Sequence, residues 1–429
     1  MGVLQLPRGN KVRIAAAALA LLTGLTACSS KDDGSSDSGG NVTLTFWSIN
    51  GPGLDDLIKQ YQNDHPNIKI DMQVDDKNRN ENLLTALSAG SGVPDVAITT
   101  VDDIPLLKNE DYWVNLKDFG ADAMESDFLS ARWKQGTNAD GSFIYGIPTD
   151  SGPMAMAYRK DIFEAAGLAS DRESVSKMVA TWDDYYNTGL MIKEKAGKPI
   201  ATDAYFGAFL PLIQQAGEYT IFDKDGNLTI ESNPAVKKAW DFAGKLAKAG
   251  LTAKQPDFSA DWNAGLGKGD FATVFAPPWM LGIIRSNAPD STGVWDVATM
   301  PGGSANWGGS FLLIPKKSKH QKEAYDFISW ILAPAQQLEL YKTNGNFPST
   351  PSVYEDDAFK TKKDAYYSDA PVGEIFAKAA EQVQPVDSIH SWASVTTTAS
   401  NYLPKVDAGE DPEKTWADFV SEVKANQNK

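Results

Sequence analysis

Strand-like and helix-like segments alternate along residues 41–99, and this alternation restricts the possible folds more than any other feature of the chain. The strand segments are rich in β-branched and aromatic residues, and the segments between them carry apolar residues at helical spacing. A strand–helix–strand repeat of this kind predicts right-handed parallel crossovers and an open α/β sheet. The predicted order is strand 41–48, helix 54–64, strand 68–74, helix 80–89 and strand 95–99.

A second alternating series begins near Met154. It contains a predicted strand at 271–275 and a predicted hairpin at 222–230 around Asp225-Gly226. Two α/β bodies that are connected more than once are the architecture this series predicts. The helical patterns of the series cover residues 161–166, 182–194, 234–249 and 321–332.

The N-terminus has the pattern of a secretory signal. Three basic residues precede the small, apolar stretch 14–27, which is too short for an ordinary membrane span. Leu25-Thr26-Ala27-Cys28 resembles the lipobox of bacterial lipoproteins, and this resemblance implies that Cys28 becomes the acylated mature N-terminus. An ordinary signal peptide with a coincidental cysteine is the alternative. Residues 28–40 are predicted to form a flexible tether, because they contain no core-forming side chains after Cys28.

Charge and cysteine content exclude several classes of function. The net charge of −16 opposes nucleic-acid binding, which depends on Lys and Arg. A single cysteine rules out a disulfide framework and cysteine-ligated metal clusters. The three histidines are scattered, so no metal site is expected. Nor is a cofactor expected, since the Gly-rich segment 265–269 lacks the Ser or Thr of a phosphate loop.

Seven segments between residue 42 and the C-terminus form a recognisable series. In order, they are VTLTFWSING, LLTALSAGSGVPDVAIT, FIYGIPTDSGPMAMAYRKDIFEAAGL, TWDDYY, FATVFAPPWM, NWGGSFLLIPKKSKHQKEAYDFISWI and NGNFPSTPS. Together they resemble the extracytoplasmic solute-binding proteins of ABC importers, in particular the sugar-binding branch called extracellular solute-binding protein family 1. One segment departs from the family pattern, because Pro277 stands in the Gly place of a Gly-Pro-Trp motif.

The resemblance implies an α/β, two-lobed periplasmic-binding-protein-like fold of type II, in which two open sheets are joined by three hinge crossings. The crossings are expected near 151–155, 309–313 and 384–389. The expected extents are 41–150 plus 312–385 for lobe one and 156–308 plus 390–429 for lobe two.

The same resemblance implies a non-enzymatic, monomeric lipoprotein on the outer face of the cytoplasmic membrane. It would capture a mono- or oligosaccharide between its lobes and deliver it to the permease subunits of an ABC importer. Two alternatives stay open. A lipid-anchored glycoside hydrolase would share the aromatic residues but would need two carboxylates about 5–10 Å apart. A surface adhesin that binds polysaccharide is hardly distinguishable from an importer subunit by sequence.

Burying a sugar requires flat aromatic side chains against its C–H face and polar groups around its hydroxyls. The aromatic candidates are Trp47, which ends the first strand, Trp279 and Trp307 in family-like segments, and Trp392 after the third expected crossing. Most large aromatic residues belong to cores, and four tryptophans on helical faces are expected to do so: Trp182, Trp240, Trp330 and Trp416.

The polar candidates are Asn50, Asp102, Asp150 and Asn346. Asn50 and Asp102 lie in loops at the carboxyl ends of predicted strands, where ligands of open α/β sheets bind. Asp102 is equally suited to cap a helix that begins at Ile104. Asp150 precedes the first expected crossing, and Asn346 is also a typical turn residue.

Overall fold

The alternation predicted for residues 41–99 is confirmed, since three parallel strands separated by two helices begin the first of two sheets. The computed structural model describes residues 40–49, 53–75, 77–101, 103, 108–217, 219–384 and 392–427. The expected signal segment, Cys28 and the tether up to residue 39 lie outside the described residues, as do Asn50 and Asp102.

The first sheet contains β1 (Val42–Ser48), β2 (Ile68–Val74), β3 (Val96–Thr100), β4 (Gly146–Pro148) and β8 (Ser310–Leu313). Their order is β2-β1-β3-β8-β4. β1 runs parallel to β2 and β3, whereas β8 runs antiparallel to β3 and β4. Both faces of the sheet are covered: Phe46 and Ile98 pack into one hydrophobic cluster, and Ala97 and Phe311 pack into another.

The second sheet is smaller and antiparallel, with β5 (Ala155–Arg159) between β6 (Thr273–Ala276) and β7 (Trp295–Ala298). Successive residues of β5 point to opposite faces, so Met156 and Ala157 enter different hydrophobic clusters. The predicted hairpin is present as a bridge between Phe222 and Leu228.

The helices predicted in the second series are confirmed to within two residues at each end. Local signals explain their ends: Thr181 and Asp184 form a capping box at the start of the helix 182–196, which stops at Gly197 with a φ of 68°. The described helices are α1 (Asp55–Asp64), α2 (Arg79–Ala89), α3 (Ser130–Gln135), α4 (Lys160–Ala165), α5 (Arg172–Met178), α6 (Trp182–Ala196), α7 (Leu210–Gln215), α8 (Pro234–Lys248), α9 (Ala260–Lys268), α10 (Pro278–Asn287), α11 (Gln321–Ile331), α12 (Pro334–Asn344), α13 (Asp357–Lys360), α14 (Val372–Gln382), α15 (Trp392–Asp407) and α16 (Pro412–Gln427).

Two backbone segments connect the sheets side by side. Residues 149–154 join β4 to β5, and residues 299–309 join β7 to β8. The Trp307 N–H donates to Gly152 O at 2.8 Å, and the Gly152 N–H donates to Asn306 Oδ1 at 3.0 Å. A Cβ at Gly152 would lie 2.0 Å from Trp307 O, so the two segments can approach this closely only with glycine at that position.

The second crossing differs from its expected position at 309–313. Residues 310–313 are β8 itself, a strand of the first sheet, so the connecting backbone lies before them in the chain.

The third expected crossing, 384–389, lies outside the described residues except for Gln384, and its position stays a prediction. The Ser151 N–H donates to Phe347 O at 3.0 Å, which brings a third segment beside the first crossing. Beyond it, Tyr354, Phe359 and Phe376 pack with side chains of the second sheet and its helices rather than with those of the first sheet.

Because apolar side chains belong with the core that buries them, this packing groups Tyr354, Phe359 and Phe376 with the second sheet. The lobe limits 41–150 plus 312–385 and 156–308 plus 390–429 stay predictions. None of the helices in the described part of the chain combines the length and apolar composition that a membrane crossing requires.

Candidate functional site

A cavity of about 370 Å³ opens in the second lobe beside the second crossing. Its volume is within the range of small-molecule sites, and its described lining is aromatic and polar with no basic side chain. The lining residues come from four stretches of chain that meet here: Asp203, Tyr205, Phe206, Leu210, Gln214, Pro256, Trp307, Trp392, Thr396, Thr397 and Ser400.

One wall of the cavity begins at a wide helical turn. Residues Tyr205–Phe209 form a π-helix that runs directly into α7. Asp203 precedes it and stabilises its start, since Asp203 Oδ1 accepts hydrogen bonds from the N–H groups of Phe206 at 2.7 Å and Gly207 at 3.4 Å. Turns of this type occur frequently at functional sites. Here the turn positions one carboxylate and two aromatic rings on a single wall.

Aromatic rings form a continuous cluster at the cavity. Phe206 stacks on Trp307 with a centroid distance of 4.9 Å, and Trp279 meets Trp307 edge-on at 5.3 Å. The Trp279 indole N–H donates to Trp307 O at 3.2 Å, which fixes the relative position of these two residues. The cluster offers flat apolar surfaces of the kind that bind the C–H face of a ring-shaped ligand.

Phe258 completes this cluster from the outside. Its side chain is 46% exposed, although it stacks on Trp279 at 6.3 Å and meets Trp307 at 5.7 Å. Its φ of 69° lies in the left-handed region, which is costly for a residue with a bulky side chain. An exposed aromatic ring held in a strained backbone conformation beside a cavity is typical of a residue that contacts a ligand.

Three buried carboxyl groups interact at the cavity wall: Asp203 lines the cavity, and the charges of Asp203, Asp257 and Asp407 influence one another. Burial, followed by the charge of Asp407, raises the pKa of Asp203 to about 7. Burial also raises the pKa of Asp257, where the charge of Asp203 adds to the effect, and the pKa of Asp407. Like charges in a medium of low polarity cannot all ionise together, so this group holds protons at neutral pH. In the described residues, no set of three or more potential ligand side chains is arranged to hold a metal ion.

Two buried acceptors in or beside the cavity wall have no hydrogen-bond partner among the residues that the structure describes. Gln214 Oε1 belongs to a residue that lines the cavity and is 6% exposed, and Asp257 Oδ1 lies on a residue that is 8% exposed. An unpaired buried acceptor is costly unless a donor arrives from outside the chain. The cavity is therefore suited to a neutral ring with hydroxyl donors around its edge.

Three of the predicted aromatic residues come together. Trp307 and Trp392 line the cavity, and Trp279 contacts Trp307. Trp47 is half-buried and packs against the hydrophobic cluster of the first sheet that contains Trp113 and Phe311. The four tryptophans predicted to pack do so: Trp182, Trp240, Trp330 and Trp416.

The predicted polar residues are placed differently from the aromatic ones. Asp150 lies at the start of the first crossing, where its Oδ1 accepts from the Ser310 N–H at 2.8 Å. Asn346 precedes Phe347, whose carbonyl bonds to the first crossing. Neither is among the described residues that line the cavity. Asn50 and Asp102 lie outside the described part of the chain.

Three residues at or beside the cavity were not predicted from the sequence: Asp203, Phe206 and Phe258. An acidic residue followed by aromatic residues, Asp203-Ala204-Tyr205-Phe206, was the available signal for the first two. The position of Phe258 depends on a left-handed backbone conformation that its sequence does not indicate.

Two open sheets joined by adjacent crossing segments, with an aromatic cavity beside one crossing, define the class of two-lobed, hinged binding proteins. The comparisons with known proteins agree. The chain belongs to the bacterial extracellular solute-binding protein family, whose model matches residues 56–366.

Three relatives illustrate this membership. An arabinooligosaccharide-binding protein of Halalkalibacterium halodurans is 28% identical over 351 residues, which cover 77% of this chain and 76% of that protein. The crystal structure of an extracellular solute-binding protein of family 1 is 32% identical with a TM-score of 0.85, and covers 90% of this chain and 99% of its own. The ABC transporter associated binding protein from B. animalis subsp. lactis Bl-04, in complex with β-1,6-galactobiose, is 25% identical with a TM-score of 0.71. The match covers 89% of this chain and 96% of that protein.

Proposed function

We propose that this protein binds a mono- or oligosaccharide in the cavity beside Trp307 and delivers it to an ABC importer. The observation that carries the proposal is the stacked pair Phe206–Trp307 on the same cavity as the Asp203 carboxyl group and the unpaired buried acceptor Gln214 Oε1. Stacking surface and hydroxyl acceptors are the two features that a sugar site needs. Relatives whose names refer to arabinooligosaccharide and galactobiose support the same class of ligand.

The residues have separate roles in this proposal. Trp307, Phe206 and Phe258 would cover the apolar face of a sugar ring, with Trp279 and Trp392 at the sides of the cavity. Asp203 and Gln214 would accept hydrogen bonds from its hydroxyls. The opposing wall would come from the first lobe, where Trp47 remains a candidate together with the predicted Asn50 and Asp102. A ligand that contacts both lobes favours the closed state, and the importer can recognise that state.

Isothermal titration calorimetry against a panel of neutral sugars tests this function. We expect a dissociation constant in the micromolar range or below for at least one mono- or oligosaccharide, with a shift in tryptophan fluorescence because indoles contact the ligand. The bound sugar should be recovered chemically unchanged, since no reaction is proposed. Binding of a peptide or polyamine with no response to any sugar would contradict the proposal, and release of cleaved sugar would indicate a hydrolase.

We also propose that the protein is a lipoprotein anchored through Cys28. Cys28→Ser is expected to move nearly all of the protein from the membrane fraction to the soluble fraction, because one thiol carries the diacylglyceryl group and two acyl chains anchor stably where one does not. Immunoblotting of fractionated cells measures this, and Ser29→Ala is the matched control that should leave the protein on the membrane. Retention of the Cys28→Ser variant on membranes would contradict the anchor.

A further inference from the structure

A buried guanidinium lies where the first two crossings leave the first sheet. Arg132 in α3 is 2% exposed, and its guanidinium packs over the ring of Phe311 at 4.5 Å. Its Nε donates to Asp150 O at 3.1 Å, and its Nη2 donates to Ser310 O at 3.4 Å. Asp150 is the second residue of the first crossing, and Ser310 is the residue that directly follows the second crossing. One side chain therefore holds the ends of two crossings together.

Asp150 adds a second link between the same two crossings. Its Oδ1 accepts from the Ser310 N–H at 2.8 Å, and the Thr149 N–H donates to Ser310 O at 2.9 Å. Burial lowers the pKa of Arg132 to about 10, and the Asp150 carboxylate partly offsets this effect. The guanidinium therefore stays charged at neutral pH. Charge-assisted hydrogen bonds of this kind are stronger and more directional than neutral ones.

Two glycines, Gly308 and Gly309, lie just beyond these links, with φ values of 88° and 98° that favour glycine. A Cβ on Gly309 would lie 2.5 Å from Arg132 Nη2, so the guanidinium packs directly against the backbone of the second crossing. Trp307 precedes these glycines and lines the cavity, which places the ligand site three positions along the chain from Ser310.

We propose that Arg132 and Asp150 form a hinge clamp. They hold the first-lobe ends of both crossings in register, so that lobe motion is confined to Gly152 and Gly308-Gly309. The clamp thereby sets the fraction of molecules able to close on the ligand, and it acts as a positioning device without contacting the sugar. This inference rests on the proposed function, and it assigns Asp150 a hinge role in place of the predicted sugar contact.

Arg132→Lys tests the clamp. Lysine keeps the charge but lacks the planar guanidinium group that donates to the carbonyls of Asp150 and Ser310 together. We expect the dissociation constants of all bound sugars to rise by one common factor of about fivefold or more, since a change in the closing equilibrium affects every ligand equally. Asp150→Asn should act on the same equilibrium, and the double variant should lose less than the product of the two single effects.

Arg159→Lys is the matched control. Arg159 is 6% exposed, donates to the carbonyls of Leu266 and Gly267, and packs near the ring of Trp295, but it lies in the second lobe away from the crossings. Arg159→Lys should lower the melting temperature about as much as Arg132→Lys does, and it should leave sugar affinity unchanged. Unchanged affinity in Arg132→Lys would overturn the clamp, and so would a factor that differs between sugars, because that result indicates direct contact.

A second measurement does not depend on any sugar. Spin labels on cysteines introduced at the exposed positions Lys59 and Lys238, in the full chain with Cys28→Ser, report the distance between the lobes by pulsed electron resonance. Without ligand, Arg132→Lys should broaden the distance distribution, whereas Arg159→Lys should not. An equal width in both variants would overturn the clamp even if sugars bind. A broadened distribution in a protein that binds no sugar would retain the clamp and refute the proposed ligand.

Discussion

Trp307→Ala is expected to weaken sugar binding by about 100-fold, the largest loss of affinity for a single side chain in this protein. Trp307 stacks on Phe206, meets Trp279 and Phe258, and lines the cavity, so it is the central ring of the aromatic cluster. Removal of a central aromatic side chain from a binding site typically costs about 2–4 kcal/mol. Trp307→Phe keeps a ring in the same place and should lose about tenfold. Calorimetric titration with the best sugar measures both.

The control for this variant is Trp330→Ala. Trp330 is also half-buried, but it packs on Tyr61 in the first lobe at 5.2 Å. The two alanine variants should lose similar stability, because each leaves a comparable gap, while only Trp307→Ala loses affinity. The backbone carbonyl that accepts from Trp279 is retained, so the neighbouring ring keeps its position. An unchanged dissociation constant in Trp307→Ala would assign this residue to packing alone.

The sequence predicted the parts of the fold that depend on local periodicity. The strands β1 to β3 and the helices between them follow from alternation and helical spacing within single segments. β8 could not be predicted in this way, because the four-residue strand 310–313 lies between β3 and β4 only through pairing with residues that are distant in the chain. The packing of Tyr354 and Phe359 against the side chains of the second sheet could not be predicted for the same reason, since it is a tertiary effect.

The site was predictable to a similar extent. Trp279 and Trp307 were found through family-like segments, and the structure brings them into contact. Asp203 was missed because its importance comes from its surroundings: it is 1% exposed and lies at the start of a π-helical turn. Neither its burial nor its unusual proton affinity follows from the residues next to it in the sequence.

That proton affinity makes the stability of the protein depend on pH. The folded-state pKa of Asp203 is raised to about 7 by burial and by Asp407, against a usual value near 3.8. Between these values the folded state holds a proton that the unfolded state has released, so the contribution to stability is present at acidic pH and is lost as pH rises toward 7. Above 7 the loss is complete, and a carboxylate stays buried at the cavity wall.

Asp203→Asn should therefore stabilise the protein at pH 8 by about 2–4 kcal/mol and change it little at pH 4. An amide keeps the acceptor for the N–H groups of Phe206 and Gly207, so the start of the π-helical turn is retained. At pH 8, where the Asp203 carboxyl group is ionised, the same variant should weaken sugar binding by about tenfold, because a charged acceptor binds hydroxyls more strongly than an amide.

Thermal unfolding at the two pH values and titration with sugar measure these opposite effects. Asp171→Asn is the control, because it removes an equal charge from an exposed helix cap. This variant should change the melting temperature only slightly and leave sugar affinity unchanged. If Asp203→Asn is no more stable at pH 8, then its carboxyl is not a buried charge in the folded protein. If it is more stable and binds sugar as tightly as before, then Asp203 is buried but does not contact the ligand. The predicted combination, higher stability with lower affinity, is what a residue kept for binding at the expense of folding should show.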